Sequence, residues 1–460
     1  MDALKNINPS GIAAIPSAYK LEEVTITNKD SVAINLASVV AEIEITESIY
    51  SPTMICKISV LDESNILETL PIYGLETLHV RISRIQGGDA EERGVQGSFQ
   101  EIDRVFYVTE YPLFGRIRRE RAQVWSMVGV SHHAWKNQLM RISRGYSGTI
   151  TNEIVKIGKD AFGLTTNILG GAESKGQGII NIQTPLQAID WFRRRLYEPD
   201  GTPFYYFESL QSKPTEISLE SHSAIASKPP HSRYVDSRDF NVPAGTLEDY
   251  EARKERMVNV SSTLKLSKLS PARTGAFASE NQFLDLATKT FTKKYYDYSM
   301  FPLDSTLHGT SILKSPPPFE FQGDIENRAG APTPIPNEEN VETEYFSHME
   351  HLSLNSEAYL DSSLQNYMQW SHTHVDILNA FPGVFDTLMH EIVVHGDFEL
   401  NAGKTVTLKF PKAADPNQTG KDKLYDESLS GKYIVLSAIH RFKDQEYYTD
   451  IRVKRDSFSP

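Results

Sequence analysis

Two histidines near the C-terminus, His390 and His395, come nearest in type and spacing to a metal site. A zinc protease needs two histidines four residues apart on a helix, so that both imidazole nitrogens reach one ion. Here the separation is five, and most of the residues between them are β-branched. On a strand this spacing directs the two rings to opposite faces. We therefore predict a strand here, with no metal site.

Other enzyme signals are weaker. His348 with His351, and His372 with His374, lack a spacing that brings both rings to one side of a helix. The chain contains no P-loop, no dinucleotide-binding glycine fingerprint and no Gly-x-Ser-x-Gly elbow. The 60 acidic residues leave open a paired carboxylate acid and base, but their abundance favours a solvated acidic surface. We predict a protein that is not an enzyme, with no catalytic residues and no cofactor.

The bulk composition indicates a folded protein of several domains. Its 460 residues are enough for about three domains of roughly 150 residues each. The formal net charge of -13 argues against a protein that grips nucleic-acid phosphates. Cys56 is the only cysteine, which favours folding in a reducing compartment. No run of eighteen apolar residues and no signal peptide is evident, so we expect cytoplasmic synthesis and no membrane insertion.

Strand patterns dominate residues 1–147. Apolar residues alternate with polar ones in several short runs bounded by turn residues, which is typical of half-buried antiparallel strands. We interpret this segment as a first tube-like β-barrel, closed or nearly closed.

The period changes near residue 148, and residues 148–255 are predicted to form a mixed α+β domain. Thr184 begins a capping box with Gln187, and the helix that follows should bury Ile189, Phe192 and Leu196 on one face. Residues 301–387 hold proline-rich stretches followed by a helical pattern, and are predicted to be a loop-and-helix insertion.

Strand patterns return in residues 256–300 and 388–460, which are predicted to form a second, discontinuous tube-like barrel. Alternation is strict from residue 447 to residue 454. The predicted barrel core therefore includes Ile439, Ile451 and Val453. The opposite face is predicted to contact neighbouring molecules or to line a channel; it carries Tyr448, Asp450, Arg452 and Lys454. The predicted fold class is mainly β with α+β insertions: two antiparallel β-barrel tube domains and a mixed α/β middle domain.

The C-terminal strands carry a more specific signal. A strand, a tight turn at Gly403 and a second strand are followed by a final hairpin. That hairpin has His440 shortly before its turn and the pair Tyr448-Thr449 shortly after it. This arrangement resembles the closing strands of the tube domain in phage baseplate hub proteins. The group includes the central hub of T-even phages, the tail D proteins of smaller contractile phages and the VgrG spikes of type VI secretion.

The resemblance implies a structural hub subunit of a contractile tail baseplate. It implies a homotrimer whose two tube domains per chain form a ring of six barrels, joining the sixfold tail tube to a central spike protein. Baseplate wedge proteins would be further partners, and DNA would pass through the channel, during genome ejection, without specific binding. The location implied is the virion tail, assembled in the host cytoplasm. The alternatives are a tail-associated hydrolase and a receptor-binding tail protein, although the four tryptophans are scattered rather than clustered.

Overall fold

The fold is that of a computed structural model. It describes residues 19–69, 74, 76–84, 101–117, 122–171, 174–196, 198, 202–236, 254–264, 278–285, 289–297, 349–354, 381, 388–412, 425–426 and 429–455. The predicted proline-rich tract, the helical pattern that follows it and the pair His372 and His374 lie outside these residues, as does His348.

The N-terminal part is an antiparallel sheet in which β3, β4, β7, β6, β5, β1 and β2 pair in that order. Two short helices accompany it. The elements are β1 (Tyr19–Thr27), β2 (Ala33–Asn35), β3 (Val40–Ser48), β4 (Ile55–Asp62), α1 (Ile66–Thr69), β5 (Thr77–Arg84), β6 (Glu101–Ile117), β7 (Ala122–Ser131) and α2 (His132–Gln138). Their alternate side chains point inward and form one apolar core, as the period of two predicts.

The middle part packs two helices and two small sheets around a separate core. Its elements are β8 (Ile142–Thr149), α3 (Ile150–Phe162), β9 (Thr165–Leu169), β10 (Lys175–Gln183), α4 (Pro185–Arg193), β11 (Phe204–Phe207), β12 (Glu216–Ser221) and α5 (His222–Ser227). The predicted capping box is confirmed: the Thr184 side chain accepts from the backbone N–H of Gln187, whose side chain accepts from the backbone N–H of Thr184. Ile189, Phe192 and Leu196 are all buried, as predicted.

The C-terminal part contains a closed barrel of six strands. These are β13 (Arg233–Asp236), β14 (Arg256–Leu264), β18 (Leu388–His395), β19 (Thr405–Lys409), β20 (Gly431–Lys443) and β21 (Glu446–Arg455). They pair in the order β19, β13, β14, β18, β21 and β20, and β20 pairs back with β19. The prediction of a mainly β fold containing a barrel is confirmed. The barrel is not wholly antiparallel, because β13 runs parallel to both of its neighbours.

Three further strands, β15 (Ala278–Asp285), β16 (Thr290–Asp297) and β17 (Met349–Leu354), form a sheet of their own, in the order β16, β15, β17. They come in the chain between β14 and β18, which are neighbours in the barrel. Among the described pairings, none joins β1 or β2 back to β20, so a second closed barrel stays a prediction, as do the domain boundaries. No helix in the described part of the chain is long and apolar enough to span a membrane.

Candidate assembly surface

The C-terminal hairpin of β20 and β21 belongs to two parts of the molecule at once. Residues 431–434 of β20 pair with β19 inside the closed barrel. Residues 437–443 of the same strand pair with β3 of the N-terminal sheet. A single strand therefore joins the barrel and the N-terminal sheet into one sheet of 13 strands.

A bulge in β20 determines which of its residues face inward. The pairing of β20 with β21 shifts between Val435 and Ser437. Odd-numbered Val435 is buried in the barrel core before the bulge, whereas even-numbered Ala438 and His440 are buried after it. The structure therefore corrects one predicted core residue: Ile439 is only half-buried and lies on the outward side. An extra residue in a bulge reverses the alternation, and nothing in the local sequence marks where it occurs.

In β21 the inward and outward residues alternate without interruption. Ile451 and Val453 are buried in the barrel core. The opposite face carries the four residues predicted to contact neighbours or line a channel. Of these Arg452 is exposed, and the other three, Tyr448, Asp450 and Lys454, are half-buried.

The outward face of the hairpin is a network of opposite charges. The Arg441 guanidinium lies 3.0 Å from the carboxylate of Glu44 on β3 and 3.0 Å from that of Asp450 on β21. Arg452 donates to Glu391 on β18 at 2.6 Å. Paired charges directly across neighbouring strands stabilise a sheet modestly and keep its outer face wetted.

Two outward residues have perturbed pKa values. Burial raises the pKa of Asp450, although the Arg441 charge opposes the shift. Burial and the hydrogen bond that the Tyr448 hydroxyl donates to Glu446 raise the pKa of Tyr448 to about 12. The Tyr448 ring also stacks on His395 with ring centres 5.8 Å apart. The Tyr448 hydroxyl therefore stays protonated at neutral pH and donates its hydrogen bond to Glu446.

Glu47 is a buried carboxylate at the junction of three segments, and the sequence analysis missed it. It is 1% exposed and accepts from the backbone N–H groups of Leu210 and Ala402, each at 2.6 Å. His440 Nε2 lies 3.8 Å from Glu47 Oε1, and His440 Nδ1 is 2.6 Å from the hydroxyl of Tyr447. One side chain of β3 thus holds the middle part and the turn before β19. The sequence signal that could have identified Glu47 is a carboxylate at an inward position of β3, where the other inward side chains are apolar.

The glycines of the turn segment before β19 are needed for close packing. Gly403 has a φ of +78°, and a Cβ there would lie 2.5 Å from the ring of Phe207. A Cβ on Gly396 would lie 2.0 Å from the ring of Tyr447. Larger residues at either position would force the turn away from its neighbours. The glycine singled out by the resemblance is thus explained by packing and backbone conformation.

A second buried polar cluster contains a serine, a histidine and a carboxylate, the residue types of a hydrolase active site, but not in the arrangement that such a site needs. Ser131 donates to Glu208, and His133 Nε2 lies 2.7 Å from the carbonyl of Pro52. Glu208 also accepts from the backbone N–H of Met54. Ser131 donates to the carboxylate rather than to the imidazole, and all three side chains are buried. This arrangement fastens the middle part to the ends of β4 and β7.

The histidines with the strongest metal-like spacing lie on opposite faces of β18, as predicted. His390 is buried, with Nδ1 2.7 Å from the Ser262 hydroxyl and Nε2 3.2 Å from that of Tyr433. Burial, with the nearby Arg455 charge, lowers the pKa of His390 to about 4. His395 lies on the outward side. Within the described residues, no group of three His, Cys, Asp or Glu side chains is placed to hold a metal ion.

Comparison with known proteins gives matches among solved structures. No protein-family model matches the chain, and no curated protein does. A tail protein from Neisseria meningitidis MC58 is 11% identical, with 95% of this chain and 97% of that chain covered and a TM-score of 0.47. The 43 kDa tail protein of prophage MuSo2 from Shewanella oneidensis is 12% identical, with 94% and 98% covered and a TM-score of 0.48.

A third match is the E. coli c3393 protein, a component of the type VI secretion system. It is 6% identical, with 96% of this chain and 79% of that chain covered and a TM-score of 0.42. The matched structures are thus two tail proteins and a component of a secretion system. All three TM-scores lie below 0.5.

Proposed function

We propose that this protein is a structural hub subunit of a phage tail baseplate. Three copies form a ring that surrounds the DNA channel and joins the sixfold tail tube to a central spike protein. In this proposal residues 1–147 form the first tube domain, and the second lies within residues 256–300 and 388–460, with β13 completing its closed barrel. The protein has no enzymatic role, contacts baseplate wedge proteins, assembles in the host cytoplasm and resides in the virion tail.

The observation that carries the proposal is the shared hairpin. Because β20 pairs with β19 and with β3, the closed barrel and the N-terminal sheet lie side by side in one continuous sheet. Two barrel-like units held in this way occupy two adjacent positions in a ring. Three such chains supply six positions, which allows a threefold component to meet a sixfold one.

The junction beneath the hairpin supports a rigid pairing of the two units. The carboxylate of Glu47 on β3 accepts from Leu210 of the middle part and Ala402 of the turn before β19. Hydrogen bonds to a buried charged group are among the stronger ones in proteins. A subunit that transmits force between tube and spike requires such a fixed relation between its parts.

The charge of the chain suits a channel through which DNA passes without binding. The net charge of the chain is -13, although Glu42 and Glu44 on the outward side of β3 are both paired with Arg441. An acidic wall repels phosphates and so favours passage over retention. In this proposal Tyr448, Asp450, Arg452 and Lys454 lie at a subunit contact or on the channel wall.

The mass of the purified protein in solution tests the proposal. Light scattering and mass photometry should give three copies per particle, alone or with a candidate spike protein, and negative-stain images should show rings. A variant ending before Tyr433 lacks the shared hairpin and should neither melt as the full chain does nor assemble. An unchanged melting profile and unchanged oligomeric state in that variant would overturn the proposal.

A further inference from the structure

An open cavity in the middle part has no role in the hub function proposed above. It is lined by residues of the ribbon that β8 and β10 form and by residues from the N-terminal half of α3. Its volume is about 470 Å³, within the range of about 300–1,000 Å³ that small-molecule sites occupy. The side chains that matter below are Arg144, Ser147, Glu153, Lys156, Gln177 and Ile179.

Two cationic side chains line this cavity, and a carboxylate holds one of them in place. Arg144 lies on β8 and Lys156 on α3. The Nη2 atom of Arg144 is 2.8 Å from a carboxylate oxygen of Glu153, also on α3. Glu153 is only 7% exposed, so its carboxylate has little freedom to move. A charged group that is held by a buried neighbour on a helix is already oriented before a ligand arrives.

The two cations keep hydrogen-bond donors for a ligand. An arginine has five N–H groups, and Glu153 engages the Nη2 side of Arg144. The Nη1 atom is 3.5 Å from the carbonyl oxygen of Gly145, longer than the usual range of about 2.7–3.2 Å. Lys156 is exposed, and among the described residues no carboxylate lies within ion-pair distance of its ammonium group.

The lining of the cavity therefore has an excess of positive charge, because two cations face one carboxylate. The chain as a whole has a net charge of -13. Salt at physiological concentration screens exposed charges that are more than about 8 Å apart, so the nearest charges determine which ions a site attracts. This cavity favours an anion although the whole protein is acidic.

The charge network on the outward face of the C-terminal hairpin has the opposite balance. Arg441 and Lys57 there face three carboxylates, those of Glu42, Glu44 and Asp450. Negative charge is in excess in that network, so an anion would be repelled. The positive excess is thus a property of the cavity rather than of the protein surface in general.

The uncharged part of the lining suits a molecule with hydroxyl groups. Ser147 and Gln177 lie directly opposite each other in the ribbon, and both are exposed. A serine hydroxyl and a glutamine amide can each donate and accept hydrogen bonds. Ile179, which is 75% exposed, adds an apolar surface, and it lies opposite Gly145, where no side chain fills the space. A sugar ring offers both hydroxyl groups and C–H groups to such a wall.

We infer that this cavity binds an anionic sugar of about monosaccharide size. Its carboxylate or phosphate group contacts Arg144 and Lys156, and its hydroxyl groups contact Ser147 and Gln177. A planar guanidinium suits the oxygens of either acidic group, since it can donate two parallel hydrogen bonds. The site lies within one chain and needs no neighbouring copy, so it goes beyond the proposed hub role.

Calorimetric titration of the full chain tests the inference. D-Glucuronate and D-glucose 6-phosphate carry the two acidic groups, whereas D-glucose is uncharged and inorganic phosphate has no sugar ring. At least one anionic sugar should bind about tenfold or more tightly than D-glucose and inorganic phosphate. Its affinity should fall as the salt concentration rises. Equal affinity for inorganic phosphate would show an adventitious ion only, and equal affinity for D-glucose would show that charge is not recognised; either result overturns the inference.

A charge-removing variant with a matched control locates the site. Lys156→Gln removes the excess positive charge and should weaken binding of the anionic sugar about tenfold or more. Lys159→Gln is the control, because Lys159 is exposed on the same helix but does not line the cavity. The control should bind as the unsubstituted chain does. Both side chains are exposed, so the thermal unfolding midpoints of the two variants should match.

Thiol labelling provides an independent measurement. Cys56 is the only cysteine and is buried, so a thiol introduced at the surface is the accessible one. In Ser147→Cys, saturation with the anionic sugar that binds should slow maleimide labelling several-fold. In Ser143→Cys the rate should not change, because Ser143 is exposed on the same strand outside the lining.

The outcomes separate this inference from the proposed function. If neither anionic sugar binds, if Lys156→Gln binds as well as the unsubstituted chain, or if the Ser147→Cys thiol stays equally reactive, the inference is overturned whatever the oligomeric state. If an anionic sugar binds to a chain that stays monomeric, the inference holds although the ring proposal fails.

Discussion

The two halves of the C-terminal hairpin both alternate inward and outward side chains, but they have different interiors. In the half that belongs to the closed barrel, Val435, Ile451 and Val453 pack in an apolar core. In the half that pairs with β3, the inward side chains include the buried polar residues His440 and Thr449. The bulge in β20 lies close to the boundary between the two halves. One hairpin therefore stabilises a barrel at one end and connects three segments at the other.

This difference shows how a single element can serve two purposes. Apolar packing is non-directional, so it stabilises the barrel without specifying what lies beside it. Buried hydrogen bonds are directional, and each one left without a partner costs free energy. The polar half, where Thr449 accepts from the backbone N–H of Asp397, therefore specifies how the barrel, the middle part and the N-terminal sheet sit together.

Substitution in the barrel half should produce the largest effect. Ile451→Asn leaves an amide without partners in an apolar core and removes packed atoms, so it should lower the free energy of unfolding by at least about 4 kcal/mol. Ile439→Asn, on the outward side beyond the bulge, should cost only about 1 kcal/mol. Urea unfolding of both variants measures the difference. Equal losses would mean that the bulge does not reverse the alternation.

Substitution of the buried carboxylate should come next. Glu47→Gln turns one of the two acceptor oxygens into an amide donor that faces a backbone N–H, so it should cost about 3 kcal/mol. Glu44→Gln, three positions earlier on the outward side of β3, should cost less than about 0.5 kcal/mol. Hydrogen exchange should show faster opening at Leu210 and Ala402 only in the first variant. A loss shared by both variants would assign the effect to charge rather than to the junction.

Acidification should destabilise the barrel half through His390. Burial holds its pKa at about 4 in the folded state, whereas an unfolded histidine titrates near 6.5. As the pH falls from 7 to 5, the unfolded state takes up a proton that the folded state does not, so this residue removes about 2 kcal/mol of stability. In His390→Gln that component is absent, and stability should depend less on pH. Identical pH dependence in the two proteins would show that His390 does not contribute.

Reversal of an outward charge should have the smallest effect on folding. Arg452→Glu replaces an ion pair with two neighbouring carboxylates, because Arg452 contacts Glu391. Since both groups are about half exposed, the loss should not exceed about 1 kcal/mol. The double variant Arg452→Glu with Glu391→Arg restores the pair and should recover that stability. If the subunit contact involves this face, particle mass should fall in the single variant although the chain remains folded.

Several features were predictable because they depend on local sequence. Thr184 and Gln187 form the capping box that their spacing indicates, since a helix N-terminus needs only those side chains and its own backbone. His390 and His395 lie on opposite faces of β18, because alternation along a strand is a property of backbone geometry. The same reasoning failed at Ile439, because the bulge earlier in β20 reversed which side chains of that strand point inward.

By itself the sequence determined the strand-rich character, the helix of the middle part and the inward face of β21. These follow from periods of two and of 3.6 residues, which hold wherever the chain lies. Only the tertiary structure decided that β20 pairs with both β19 and β3, that β13 enters the barrel in parallel, and that Glu47 bonds to Leu210 and Ala402. Each of these contacts joins residues far apart in the chain, so their pairing depends on the free energy of the whole packed arrangement rather than on any local pattern.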